Sequence, residues 1–75
     1  MLFLIEYDRQ RGEVVTFKQF GEGESELADQ ARLEMELDLN RRGIEREVVL
    51  LEAENEQAVR RTHRRYFEDL AQLVS

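Results

Sequence analysis

The sequence predicts a small α+β domain with three strands and two helices in the order ββαβα. Two observations carry that reading. Residues 2–7, 14–20 and 48–53 are short apolar runs with hydrophobic side chains on both faces of an extended chain. Leu2 and Leu4 oppose Phe3, Ile5 and Tyr7; Val15 and Phe17 oppose Val14 and Phe20; Val49 and Leu51 oppose Val48 and Leu50. Residues 26–42 and 56–73 are instead rich in Ala, Leu, Glu and Arg and follow capping residues, which is the composition of helices.

The first two strands, about 2–7 and 14–20, form an antiparallel hairpin. Asp8 suits the start of its turn, and Gly12 supplies the positive φ of a bulged loop. Gly21, Gly23 and Ser25 then end the strand pattern, with Ser25 placed to cap the first helix over about 26–42. Glu26 and Asp29 near its start and Arg41 and Arg42 at its end complement the helix dipole. Gly43 occupies the left-handed terminating position, and Ile44 follows as its apolar partner. Leu33, Met35, Leu37 and Leu39 alternate with acids as in a strand, but no β-branched residue occurs between Phe17 and Ile44, so helix prevails. Leu27, Ala28, Ala31, Met35 and Leu39 form its core stripe; Leu33 and Leu37 fall outside it. The third strand spans about 47–53. Asn55 caps the second helix, about 56–73, whose inward side carries Ala58, Val59, Thr62, Tyr66, Leu70 and Leu73, widened by Phe67 and Val74.

A right-handed crossover through the first helix sets the third strand parallel to the second. The first strand has the most two-sided pattern and belongs in the middle, giving the order 2-1-3. This is a split βαβ arrangement with a ferredoxin-like layout. Both helices are expected on one face of the sheet. The other face is then left for a partner, since a sheet apolar on both sides must be covered on both. The interface candidates are Leu2, Leu4, Val14, Phe20, Val48 and Leu50 of the sheet, with Leu33 and Leu37 of the first helix. The junction Leu51-Glu52-Ala53-Glu54-Asn55-Glu56-Gln57-Ala58-Val59 resembles the strand-to-helix joint of small ferredoxin-like α+β domains that pair through their sheets. The likeness covers about nine residues and assigns no site residue.

Composition narrows the possible functions. Seventy-five residues fit one domain, residues 1–75, and a chain this size buries only about 60% of its unfolded surface. Disulfides and thiolate metal sites are excluded by the absence of cysteine, and the single histidine, His63, leaves no zinc set. Neither a metal nor another cofactor is expected, which leaves oligomerisation as the route to added stability. With 41% hydrophobic and 37% charged residues the chain has both a core and a soluble surface. The apolar start, residues 1–5, is too short for a signal-peptide core and no stretch suits a membrane helix, so a cytoplasmic protein with no membrane partner is expected.

Charge is unevenly placed. Residues 1–40 hold ten acids and four bases, while residues 41–75 hold seven of each, and the net charge is −6. Arg60, Arg61, Arg64 and Arg65, with His63 among them, form the strongest local signal. Their guanidiniums could grip a phosphate or carboxylate bidentately. A solvated helix face explains them as well, since Glu56 and Arg60, Arg64 and Glu68, and Arg65 and Asp69 are all spaced i,i+4, each pair worth ~0.2–0.5 kcal/mol. Nucleic acid is disfavoured by the acidic balance and the pI near 4.8. Gly21-Glu22-Gly23-Glu24 lacks the lysine of a phosphate loop and would repel phosphate. The acids at 22, 24 and 26, and at 34, 36 and 38, lack calcium-loop spacing. His63 has no nucleophile or orienting acid at readable spacing and reads as a packing residue.

The expected function is therefore that of a small non-catalytic interaction domain, homodimeric through the apolar sheet face or a sheet edge. A different protein is the other partner class. The alternative is a module binding a small anionic ligand through Arg60, Arg61, Arg64, Arg65 and His63.

Overall fold

The computed structural model describes residues 1–67. Strands β1 (Leu2–Asp8), β2 (Glu13–Phe20) and β3 (Glu47–Glu52) form one antiparallel sheet in the order β2-β1-β3. Helix α1 (Ser25–Arg42) connects β2 to β3, and helix α2 (Glu56–Thr62) follows β3. This is the expected ββαβα order with β1 in the centre. Because β2 and β3 are both antiparallel to β1, they run parallel to each other.

Local chemistry sets the connections. Asp8 Oδ1 accepts the N–H groups of Gln10 and Arg11, both at 3.0 Å, while the Gly12 N–H closes onto the Asp8 carbonyl at 2.8 Å with φ +67°. At the other end of α1, Gly43 takes φ +67°; its N–H bonds to the Asn40 carbonyl, and the Ile44 N–H bonds to the Leu39 carbonyl. That pair of bonds satisfies two carbonyls the helix would otherwise leave open. The start of α1 departs by one residue from expectation. Ser25 is already helical, and Glu24 bends back to take the Gly21 N–H on its own carboxylate at 2.7 Å.

The helices lie on opposite faces of the sheet, not on the same one. Ala28, Ala31 and Met35 of α1 cover Leu2, Leu4, Phe20, Val48 and Leu50. Val59 of α2, together with Tyr66 and Phe67, covers Phe3, Ile5, Tyr7, Val14, Phe17, Val49 and Leu51. The physical reason is the two-sided pattern itself: neither face of β1 can be left in water, and the chain has a helix for each. Phe3, Leu4 and Ile5 are accordingly almost fully buried, on alternate sides.

A β-bulge alters the side assignments on β2. The register slips between Glu6 and Tyr7, so Tyr7 pairs with Val14 and Glu6 with Thr16, while Val15 is left over and exposed. Val14 therefore shares a face with Phe17, and Phe20 lies on the opposite one, unlike the uninterrupted alternation read from sequence. Leu27 also leaves the expected core stripe and is exposed at the first turn of α1.

The second helix is shorter than expected. Thr62 turns its hydroxyl back onto the carbonyls of Ala58 (2.9 Å) and Val59 (3.5 Å), and His63 departs from helical backbone angles. A 3₁₀ turn over Arg64–Tyr66 follows. Thr62 is thus exposed rather than inward, and the break brings Tyr66 into the core against Tyr7, ring centroids 5.0 Å apart. The expected helical stretch 68–73, with Leu70 and Leu73, and Val74 lie outside the described residues.

Candidate functional site

The sheet-face interface residues turn out to be internal. Leu4 and Phe20 are buried, and Leu2, Val48 and Leu50 are half-buried beneath α1. Val14 is half-buried on the opposite face. The face left for a partner by the one-sided arrangement is thus occupied by the chain's own helix. Leu33 and Leu37 remain exposed, at 51% and 53%, on the side of α1 turned from the sheet.

The arginines do not gather around one point. Arg60 pairs with Glu56 at 3.0 Å and lies 4.5 Å above the Phe67 ring. Arg65 reaches the other way, over the Tyr66 ring at 4.2 Å, to hold both oxygens of Glu47 at 2.9 and 3.4 Å. Arg61 and Arg64 are exposed on the surface. His63 is half-buried at the helix break, with its ring 6.2 Å from that of Tyr66. The pairings Arg64–Glu68 and Arg65–Asp69 reach outside the described residues. Dispersal follows from the break after Thr62, which ends the single helical face on which the four side chains would have lined up.

Two polar clusters were not readable from sequence. Glu47 receives Arg65, the Tyr66 hydroxyl at 3.2 Å and Arg9 at 3.6 Å. The Arg65 hydrogen bond above all lowers the Glu47 carboxyl below its ordinary value of 4.5, against an opposing push from burial. Burial first, and then the Glu47 charge, raises the Tyr66 hydroxyl above 10.0. Glu6, on the α1 face of the central strand, is buried and held by Arg46 and by the Thr16 hydroxyl at 2.8 Å. Pairing Glu6 with Thr16 across the strand, and diagonally with Arg46, depends on the register and on the bulge beside it. Lone Glu6 in an apolar run was the one signal that a partner had to exist.

The outer edge of β3 carries backbone groups left without partners among the described residues. Its run of Val48, Val49, Leu50 and Leu51 is the sort found inside a sheet, yet β3 lies at the margin and all four residues are only half-buried. The Ala53 N–H bonds to the Met1 carbonyl at 3.0 Å, so odd-numbered residues of β3 face β1. Alternation turns the backbone N–H and C=O groups of Val48, Leu50 and Glu52 outward. Among the described residues, no hydrogen bond meets them. The other margin, β2, is interrupted by the bulge at Val15 and carries Lys18, two features that discourage strand pairing. Strand β3 has neither.

Among the described residues, no helix is long and apolar enough to cross a membrane, and no cluster of His, Asp or Glu is arranged to hold a metal ion. Compared with protein-family models, curated proteins and solved structures, the chain matches none.

Proposed function

We propose that the chain is a non-catalytic interaction domain that self-associates by adding a strand at the open edge of β3. The observation that carries this reading is an entirely apolar core sequence, Val48–Leu51, in an edge strand whose outward backbone groups have no partner among the described residues. Strand addition supplies main-chain hydrogen bonds to those groups and fresh cover to the half-buried side chains. The ferredoxin-like layout with a sheet extended through its edge is the fold-level form of the same proposal. The side chains richest in polar contacts support a structural role rather than catalysis, since Arg65 and Tyr66 already occupy the Glu47 carboxylate.

Sedimentation equilibrium at micromolar concentration is expected to give twice the 8.9 kDa chain mass. Glu52→Pro removes an outward N–H without touching the ladder to β1 and is expected to shift the equilibrium to monomer while the circular dichroism spectrum is kept. A chain that is monomeric throughout would overturn the reading.

A further inference from the structure

The backbone of β3 restricts how a second copy can dock. In a two-fold antiparallel pair, outward residues must meet outward residues, because only they have free N–H and C=O groups. Those are the even-numbered positions, so the residue numbers of facing partners must add to an even total. The register that superposes the two strands end to end, Glu47 opposite Glu52, mixes odd with even and is excluded; it would also bring two carboxylates together.

Among the allowed registers, the one centred on Val49 is distinguished by charge. It sets Val48 opposite Leu50, Glu47 opposite Leu51, and Arg46 opposite Glu52, each pair occurring twice about the axis. Shifting the centre to Leu50 sets Glu52 against Val48, and shifting it to Leu51 sets Glu52 against Leu50. In both, a carboxylate with no ion pair of its own among the described residues faces an apolar side chain, whereas the Glu47 that faces Leu51 in the Val49 register is already held by Arg65 of its own subunit. Glu52 is exposed and has no ion pair among the described residues. Arg46 spends one terminal nitrogen on Glu6 and retains the rest of its guanidinium fork.

Resting on the self-association proposed above, we infer that the partner is a second copy of this chain, joined antiparallel about Val49 with reciprocal Arg46–Glu52 pairs. The product is one six-stranded sheet, β2-β1-β3-β3-β1-β2. A two-fold axis normal to the sheet keeps both α1 helices on one face and both α2 helices on the other. Arg46 then links the buried Glu6 of its own subunit to the rim of the next.

The chain has no cysteine, so single replacements report the register directly. In the Val49 register the two Cα atoms at position 49 lie about 4.5 Å apart at a non-hydrogen-bonded site, within disulfide reach. Position 50 meets its own copy only at a two-residue offset, about 8 Å, beyond that reach. Val49→Cys is therefore expected to form a disulfide dimer on mild oxidation, and Leu50→Cys and Leu33→Cys are not. Independently, Glu52→Arg is expected to raise the dimer dissociation constant about tenfold, with a smaller rise for Glu52→Gln and a loss of the difference in high salt.

Preferential cross-linking at position 50 would overturn the Val49 register while leaving edge pairing in place. Cross-linking at Leu33→Cys would overturn the edge as the contact and point to the outer side of α1. A dimer whose affinity ignores Glu52→Arg would overturn the Arg46–Glu52 pairs and with them the Val49 register. A wild-type monomer would instead overturn the self-association on which the inference rests.

Discussion

Glu6 and Glu47 extend from opposite faces of the sheet, and each is held by an arginine distant in sequence. Arg46 comes forty residues after Glu6, and Arg65 eighteen after Glu47. For Glu47 the arginine favours the ionised carboxylate, and that has a measurable consequence. Its pKa is lower in the folded chain, so its contribution is fully present above the unfolded value near 4.5 and is lost as pH falls through the folded value. Glu47→Gln is expected to lower the melting temperature at pH 7. The difference from wild type should shrink as both are titrated below pH 4.5. A difference independent of pH would contradict a role for the charge. Neither carboxylate was recognisable beforehand as a partner of its arginine, because both contacts are created by register and by the position of the 3₁₀ turn.

At the level of elements, what lies close along the chain was legible. Asp8 and Gly12 built the hairpin loop, Gly43 with Ile44 ended α1, and Asn55 accepts the Ala58 N–H at 2.8 Å to cap α2, all as their residue types indicate. These motifs close within five residues, so their chemistry is fully contained in a short window. Gly43 allows a direct check. A Cβ there would meet nothing within 4 Å, so Gly43→Ala is opposed only by the left-handed backbone and should cost about 1 kcal/mol in urea denaturation. A neutral substitution would mean that the helix ends in another way. The bulge at Val15 and the break after Thr62 were less legible. One arises because β1 must align Tyr7 with Val14 and Glu6 with Thr16 at once. The other turns the chain after Thr62, so that Tyr66, expected on the inward side with Val59, meets Tyr7 from a 3₁₀ turn and not from a continuous helix.

For the whole molecule, the placement of α2 matters most. With one helix on each face, consecutive residues of β1 belong to two separate cores: Phe3 and Ile5 under α2, Leu4 under α1. Substitutions on either side are then comparably damaging. Phe3→Ala should cost about 3–5 kcal/mol and Leu4→Ala about 2–5 kcal/mol in chemical denaturation. If α1 and α2 shared a face, one of the two would be cheap, and finding either below about 1 kcal/mol would contradict the sandwich. By itself the sequence determined the number and order of elements, the central position of β1 and the chemistry of the local turns and caps. Those depend on hydrophobic pattern and on bonds made within a few residues. Only the tertiary structure decided which helix covers which face, where the arginines point, and which backbone groups of β3 turn outward at its open edge. Side-chain pattern specifies that a face must be covered, but the path of the chain in space specifies what covers it. The unmet requirement thereby moves from the face of the sheet to the outer edge of β3.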